Sequence, residues 1–204
     1  MIREIRPALS LVLLFTLVLG FLLPVGFTGL AQLIAPLQAN GSLLRVNGQV
    51  IGSALIGQNF AGPGIKAARW FQPRPSALSG TNAKGQTVAT PYDASESGGS
   101  SVGPTNRGMI DHVMARIAAY RAAYGPGRVP DDAVTSSGSG LDPDISLANA
   151  LRQAPSVAAA RHLPVVMVRD LVQHLAAHRL FGVIGTDHVN VLKLNLALQG
   201  LKAR

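Results

Sequence analysis

Two histidines have a spacing at which side chains can share a metal ion. His174 and His178 lie one helical turn apart on a predicted helix, so that both imidazoles would face the same side. The zinc-protease pattern needs Glu at position 175, where Leu175 stands, and no third ligand is evident in the sequence. We therefore interpret the two histidines as surface or partner-facing residues.

Four aspartates surround the segment TSSGSGL and could in principle hold a cation. They are Asp131, Asp132, Asp142 and Asp144. Their spacing does not match an EF-hand loop, and Asp often accepts hydrogen bonds from nearby backbone N–H groups in turns. We therefore expect turn and helix-capping roles. Ser139, between two glycines of the same segment, has no accompanying base and is not interpreted as a nucleophile.

The phosphate-binding loops of nucleotide enzymes are missing from the sequence. There is no GxxxxGK[ST] and no GxGxxG after a predicted strand. The run ESGGS, residues 96–100, lacks the leading Leu and trailing Gln of the nucleotide-contacting motif of ABC-type ATPases, and its composition predicts a loop. The residues alone thus indicate a domain that works on a partner rather than one that catalyses a reaction.

Composition restricts the fold and the class of partner. The chain has no cysteine, which excludes disulfides, thiolate metal sites and a thiol nucleophile. Its net charge of +8 comes from scattered Lys and Arg residues without interleaved aromatics, so we expect a solvated basic surface and no nucleic-acid binding. With 22 Gly, 13 Pro and 5% aromatic residues, the composition predicts a loop-rich domain with aliphatic packing.

An uncharged stretch near the beginning of the chain predicts a transmembrane helix. Residues 8–27 would form ~30 Å of apolar helix, the thickness of a bilayer's hydrocarbon core. A cleaved signal peptide is the alternative, with small residues at Gly29 and Ala31, but its apolar region is usually about 7–15 residues long. We predict a retained anchor over residues 8–29.

Basic residues around this helix predict its orientation. Arg3 and Arg6 precede the span, and no basic residue follows it until Arg45. By the positive-inside rule, residues 1–7 then lie in the cytoplasm and residues 30–204 form one domain outside it. The chain would be a single-pass membrane protein.

Local signals beyond the span predict a hairpin and three helices. Asn47-Gly48 favours a two-residue turn between short apolar runs. Asn106 can cap a helix over residues 107–124, a short helix follows over about 146–154, and Pro164 opens a third. These elements already indicate a mixed fold.

The rest of the domain is predicted as loops and one terminal strand. Pro73 and Pro75 exclude a regular ladder around Arg74, and the polar residues 79–99 predict a long loop. In NVLKLNLAL, residues 190–198, leucines alternate with other residues, which is typical of a strand. We therefore predict an α+β domain whose last strand pairs with an earlier one.

Five segments of the chain resemble, in order, the conserved blocks of one known family. They are GSALIGQNF (52–60), WFQPRPSA (70–77), SGGSSVGPTN (97–106), VPDDAVTSSGSGLDPDIS (129–146) and HVNVLKLNLAL (188–198). On these segments the chain is identified as a member of the KdpC family, the C subunit of the Kdp-type potassium-transporting P-type ATPase. It differs from the usual pattern at Ser101, Asp144 and Asp187-His188, where the family usually has Asn, His and Pro-Arg.

The resemblance implies an accessory subunit of a bacterial inner-membrane pump. Its partners would be a potassium-channel-like subunit, a P-type catalytic subunit, a small single-span subunit and membrane lipid. The family's C subunit is described as an assembly factor and a catalytic chaperone that raises ATP affinity, in some accounts by binding ATP. With the domain outside the cytoplasm, we expect that this subunit binds no cofactor directly and that the complex handles ATP and potassium. We expect its effect on ATP affinity to be indirect, through a shift in the pump's conformational populations.

Four residues are the candidate partner-contact or entrance residues. Arg74 lies between two prolines and Ser139 between two glycines, while Asp142 and Asp144 would add negative potential near the potassium entrance. No catalytic, cofactor-binding or metal-binding residue is assigned. Two alternatives stay open: a membrane-anchored extracytoplasmic enzyme or metal-binding domain that uses the four aspartates, and a nucleotide-binding regulator on the cytoplasmic side, which requires reversed topology.

Overall fold

The computed structural model describes residues 2–62 and 64–201, and the chain divides into two compact units, Met1–Ser53 and Ala54–Arg204. The helices are α1 (Ile2–Leu17), α2 (Leu23–Ile34), α3 (Pro36–Ala39), α4 (Arg107–Tyr124), α5 (Leu147–Arg161), α6 (Val165–His174) and α7 (Val191–Gly200). The strands are β1 (Leu43–Val46), β2 (Gln49–Ser53), β3 (Ser79–Thr81), β4 (Thr87–Ala89), β5 (Asp144–Ser146) and β6 (His188–Asn190). The fold is therefore mixed α and β, which confirms the predicted class.

The first unit begins with one long apolar helix. Helix α1 continues through a π-helical turn, Val18–Leu22, directly into α2. The proline ring of Pro24 would clash with the carbonyl four residues earlier in a regular α-helix, and the wider turn before it relieves that contact. Within the described residues, Arg3–Ile34 is a helix of 32 residues whose most apolar 18-residue window has a mean hydropathy of 2.6, enough by length and composition to cross a membrane. The predicted span lies inside this helix.

A β-hairpin completes the first unit and confirms the turn predicted from Asn47-Gly48. Strands β1 and β2 pair antiparallel, with Val46 opposite Gln49 across the turn. Asn47 has φ 51 and Gly48 has φ 80, the positive values that a type I′ turn requires at both central positions.

The core of the second unit forms where α5, α6 and α7 pack together. The small side chains of Ala150, Ala154 and Ala158 on α5 let the helices approach closely, and branched aliphatic residues fill the space between them. The largest fully enclosed apolar members are Phe71, Ile145, Val157, Val168, Val172, Val189, Val191, Leu194 and Leu198. The loops of the second unit pack against this core.

Helices α4 and α6 begin where the sequence predicts, and α5 runs further than predicted. The side chain of Asn106 accepts a hydrogen bond from Met109 N at the start of α4, and Pro164 precedes α6. Helix α5 begins after its Ser146 cap as expected but continues through Pro155 to Arg161. The missing N–H of Pro155 costs one helical hydrogen bond, and the continuous buried stripe along α5 offsets that loss.

The predicted terminal strand is wrong: Val191–Gly200 is helix α7, and only His188–Asn190 pairs as a strand, antiparallel to β5. The side chain of Asn190 accepts a hydrogen bond from Lys193 N and starts the helix. The buried positions follow helical rather than strand spacing, and one of them is a polar amide, Asn195, which a strand would place on the face opposite the leucines.

The predicted long loop over residues 79–99 contains a short hairpin. Strands β3 and β4 pair antiparallel, with Ser79 opposite Ala89 and Thr81 opposite Thr87. The side chain of Asn82 accepts hydrogen bonds from Lys84 N and Gln86 N and closes the turn. The remainder of the region has no regular structure, as predicted.

Candidate functional site

An extended segment with two prolines, residues 70–76, is held by side-chain amides instead of by a neighbouring strand. The amide of Asn195 on α7 accepts from Phe71 N at 2.9 Å and donates to Phe71 O at 3.0 Å. The amide of Gln153 on α5 does the same for the next residue, with 2.7 Å to Gln72 N and 3.1 Å to Gln72 O. Each amide thus replaces the donor and acceptor that a strand would supply, and fixes the segment that carries Arg74.

A buried polar network connects this clamp to the helices behind it. Gln153 also donates to the side-chain oxygen of Asn149, which accepts a second hydrogen bond from the Tyr120 hydroxyl, both at 2.9 Å. The amide nitrogen of Asn149 donates in turn to Asp132 Oδ2. Burial raises the pKa of Tyr120 above its usual range. Every described polar atom in this chain of contacts has a partner, so the network specifies one arrangement of the loops.

Arg74 is the centre of the loop region. Its guanidinium donates to the carbonyls of Thr135 and Ser136 at 3.0 and 3.2 Å, and to Asp142 Oδ2 at 3.2 Å. Its own carbonyl accepts a hydrogen bond from the hydroxyl of Tyr92 at 2.8 Å, and burial raises the pKa of Tyr92 to about 12. The side chains of Arg74 and Asp142 are 28% and 30% exposed, so the ion pair lies at the edge of the surface with its charges balanced.

Two glycine-rich loops touch each other beside Arg74. Gly98 N donates to Ser139 O at 2.9 Å, which joins the segment 97–99 to the loop 136–140. A Cβ on Gly140, whose φ is 68, would lie 2.6 Å from a leucine side chain and 2.8 Å from Gly98 O. Only glycine fits at this position. The Ser139 hydroxyl accepts from Leu141 N at 3.1 Å, so it serves the turn that precedes the aspartates.

The aspartates after this turn also make structural contacts. Asp142 Oδ1 accepts from Asp144 N at 3.1 Å, and Asp144 Oδ1 accepts from the amide of Asn190 at 3.0 Å. His188 Nε2 is 3.9 Å from Asp144 Oδ2. On the other side, Gly57 N donates to Leu141 O at 2.7 Å. We call residues 57, 72–76, 97–99 and 135–144 the loop cluster.

The loop cluster brings the four sequence-predicted residues into one region but not into one reactive group. Arg74 and Asp142 form an ion pair, whereas Ser139 and Asp144 each have other partners. Asp132 accepts from the backbone N–H and the hydroxyl of Ser146. Among the described residues, no three His, Asp, Glu or Cys side chains are placed to hold a metal ion. The aspartates therefore act in turns and at the cap of α5.

A cavity of about 850 Å³ opens beside Arg74. Arg128, Arg152, Asp131 and Asp132 also line it, so charges of both signs face the space. The guanidinium of Arg152 already donates to three backbone carbonyls, and that of Arg74 to two carbonyls and a carboxylate. The guanidinium of Arg74 and the Nη groups of Arg152 are thus committed to the protein itself, whereas Arg152 Nε is buried without a hydrogen-bond partner among the described residues.

The two histidines considered as metal ligands are not on one helix. Helix α6 ends at His174, and His178 lies beyond it, with Nδ1 3.5 Å from Asp187 Oδ1. The predicted one-turn spacing is therefore wrong, because the helix ends before the second histidine.

Residues 99–103 have the spacing GxSxG that surrounds a hydrolase nucleophile, and Ser101 has φ 51. A nucleophile elbow joins a strand directly to a helix. Residues 97–103 belong to no strand or helix, and α4 begins only at Arg107. The segment is therefore part of a loop, and its resemblance to an elbow is one of spacing alone.

The residues that sequence reasoning missed are the buried amides and tyrosines. Asn149, Gln153 and Asn195 are each only 1% exposed. Their signal in the sequence is weak but present: each amide falls at helical spacing among the buried aliphatic residues of its helix. An amide at such a position has to find partners, and here the partners are the backbone of the extended segment and one another.

Comparisons with known proteins agree on one family. The family model described as "KdpC: K+-transporting ATPase, c chain" matches residues 5–200. A protein of Methylobacterium nodulans is 46% identical over 207 residues, with each chain covered completely, and one of Bradyrhizobium diazoefficiens is 45% identical over 206 residues with the same coverage. A protein of Rhodopseudomonas palustris is 47% identical over 204 residues, 99% of this chain and 100% of its own. All three are named "Potassium-transporting ATPase KdpC subunit".

Proposed function

Because the chain belongs to the KdpC family, the c chain of K+-transporting ATPases, we propose that its second unit acts as a rigid outer element of a potassium pump. The chain is an accessory subunit of that complex and not its catalytic subunit. In this proposal the loop cluster contacts the outer faces of the channel-like and catalytic subunits, stabilises their assembly and borders the potassium entrance. The small single-span subunit completes the complex.

The proposed topology follows from charge and hydropathy. The helix Arg3–Ile34 crosses the inner membrane, with Arg3 and Arg6 held on the cytoplasmic side and residues 30–204 outside. The surface of this helix supports a membrane location, since none of its most apolar window is buried within the protein. A soluble protein would cover such a surface with other elements.

The observation that carries the proposal is the bracing of the loop cluster. The extended segment is held by side-chain amides at Phe71 and Gln72, and the charge of Arg74 is neutralised by Asp142. Gly140 allows backbone atoms to approach where a Cβ would not fit. Such a surface has a fixed shape and few unsatisfied groups. Those are the properties of a surface that docks on a partner with little loss of entropy on binding.

The two surface aspartates have different electrostatic roles. The charge of Asp142 is compensated by Arg74, whereas Asp144 has an amide partner and a histidine 3.9 Å away. Asp144, 34% exposed, is therefore the stronger contributor to negative potential outside the protein. A carboxylate near an entrance raises the local concentration of cations, and salt screens this effect over ~8 Å at physiological ionic strength.

Any effect of this subunit on ATP affinity would be indirect. The proposed topology leaves only the residues before the span on the side of the cytoplasmic ATP pool. Contact with one conformation of the pump in preference to another would shift the conformational populations and, through them, the apparent affinity for ATP.

The test is a potassium and ATP titration of the purified pump that carries Asp142→Asn with Asp144→Asn. At about 10 Å in water each carboxylate contributes about 0.4 kcal/mol, so losing both weakens apparent potassium affinity roughly fourfold at low salt and less at high salt. The control pair is Asp111→Asn with Asp170→Asn, which makes the same charge change at exposed sites on α4 and α6. A shifted ATP curve with an unchanged potassium curve would contradict the proposal and favour direct nucleotide handling.

A further inference from the structure

A short apolar projection follows α6 and is not part of the loop cluster. We call residues 178–187 the apolar finger; its sequence is HRLFGVIGTD. The four large apolar residues at its tip are largely exposed: Leu180 by 59%, Phe181 by 86%, Val183 by 78% and Ile184 by 60%. Four such side chains within five consecutive positions make a continuous apolar patch, which is unusual on a surface that faces only water.

The finger is held in shape by its own backbone. Leu180 and Ile184 form an antiparallel bridge, with Leu180 N to Ile184 O at 2.9 Å, and the N–H groups of Gly182 and Val183 also donate within the finger. Phe181 has φ 53, a conformation that costs energy for a bulky residue and here keeps its ring at the tip. The tip is therefore presented as a fixed apolar surface.

The base of the finger is closed and polar. Ala177 and His188 exchange two backbone hydrogen bonds of 2.9 and 3.0 Å. Asp187 accepts from Arg179 N at 3.1 Å and lies 3.5 Å from His178. The basic residues His178 and Arg179 thus lie just behind the apolar tip. Segments that lie in the interface of a membrane have this arrangement, because their apolar part enters the acyl region while their cations meet lipid phosphates.

We propose that the tip of the apolar finger inserts into the interfacial region of a lipid bilayer. Only 19 residues, 35–53, separate the membrane-spanning helix from the second unit, so their contour holds that unit within about 65 Å of the bilayer. A surface tethered at such a range meets the bilayer at a high effective concentration, and weak insertion is then sufficient.

The bilayer suits this tip better than a protein pocket does. At typical side-chain areas the four residues offer on the order of 500 Å² of apolar surface, less than the ~800 Å² that each partner buries in a standard interface. Leu and Val are also uncommon as binding hot spots between proteins. Four backbone N–H groups of the tip, those of Leu180, Gly182, Val183 and Ile184, are already paired, which lowers the cost of entering an apolar medium.

The experiment uses the full chain alone in lipid nanodiscs and takes advantage of its lack of cysteine. Phe181→Cys or Val183→Cys is labelled with an environment-sensitive fluorophore, and the control is Val166→Cys, an equally apolar residue on α6 that is 69% exposed. We expect lipids with a nitroxide on the acyl chain to quench most of the emission at 181 and 183, and aqueous iodide to quench it at 166. Val183→Cys keeps the phenyl anchor, so it tests insertion even where Phe181→Cys weakens it.

Two further arms distinguish the possible partners. Anionic phosphatidylglycerol should increase quenching at the tip, and Arg179→Gln should remove that increase. Tip fluorophores that iodide quenches and nitroxide lipids do not would overturn the proposal. Protection that appears only after the other pump subunits are added, without lipid quenching, would also overturn it and indicate a protein pocket. Because the lipid-quenching arms contain no other subunit, their failure leaves the proposed role in the pump untouched.

Discussion

Replacing Asn195 by Leu tests whether side-chain amides really hold the extended segment. The substitution keeps the volume of the side chain but removes the acceptor for Phe71 N and the donor to Phe71 O. Phe71 is fully buried, so both backbone groups stay without partners. At about 1–3 kcal/mol for each unsatisfied group, we expect a loss of about 4 kcal/mol in the free energy of unfolding.

Urea unfolding of the full chain in detergent measures this loss directly. The chain has one tryptophan, Trp70, which adjoins the clamp and stacks under the guanidinium of Arg161 at 4.5 Å, so its fluorescence reports the segment itself. With a slope of about 2 kcal/mol per molar urea, the midpoint should fall by about 2 M. The matched control is Gln199→Leu, an exposed amide on the same helix, which should change stability by less than about 0.5 kcal/mol. Equal midpoints for Asn195→Leu and the wild-type chain would refute the clamp and return Asn195 to an outer face.

Three further outcomes follow from the same structure. Leu14→Arg with Leu17→Arg should cost about 3 kcal/mol per residue of insertion free energy and remove the chain from the membrane fraction, which fractionation would detect. Burial raises the pKa of Tyr92 from 10.0 to about 12, so the stabilisation by its neutral form is complete below pH 10 and is lost as pH rises through 12. At about 1.4 kcal/mol per pH unit the loss is on the order of 3 kcal/mol, and it should be absent from urea titrations of Tyr92→Phe. Gly140→Ala places a Cβ 2.6 Å from a leucine side chain at φ 68 and should lower the midpoint of thermal unfolding by several degrees. Gly138→Ala, whose added Cβ would meet no atom within 4 Å, should have a smaller effect.

The sequence was most informative where one local signal decides the structure. Asn106 begins α4, Asn47-Gly48 makes a type I′ turn, and a long uncharged stretch forms the candidate span, each for reasons within a few residues. Local signals were misleading where tertiary contacts decide. The alternating leucines of residues 190–198 also fit a helix, provided that Asn195 is buried. Asn195 is buried because it bonds to the backbone of Phe71, and no residue near Asn195 in the sequence predicts that contact.

The loop cluster was predictable in part. Its members were found as unusual turns, because prolines and glycines near Arg74 and Ser139 restrict the backbone. Their pairing was not predictable, since the ion pair between Arg74 and Asp142 joins segments 68 residues apart and both ends depend on helices α5 and α7 for their positions. A single sequence carries no signal for such long-range geometry.

The side of the membrane on which the second unit lies is the central claim, and cysteine accessibility measures it most directly. In a chain without native cysteine, Met114→Cys provides one exposed thiol on α4 and Arg3→Cys provides one before the span. We expect a membrane-impermeant maleimide, added to cells whose outer barrier is opened and whose inner membrane is intact, to label position 114 at once and position 3 only after detergent. Labelling of position 3 first, with position 114 protected until detergent is added, would contradict the proposed topology and, with it, the outer role of the loop cluster.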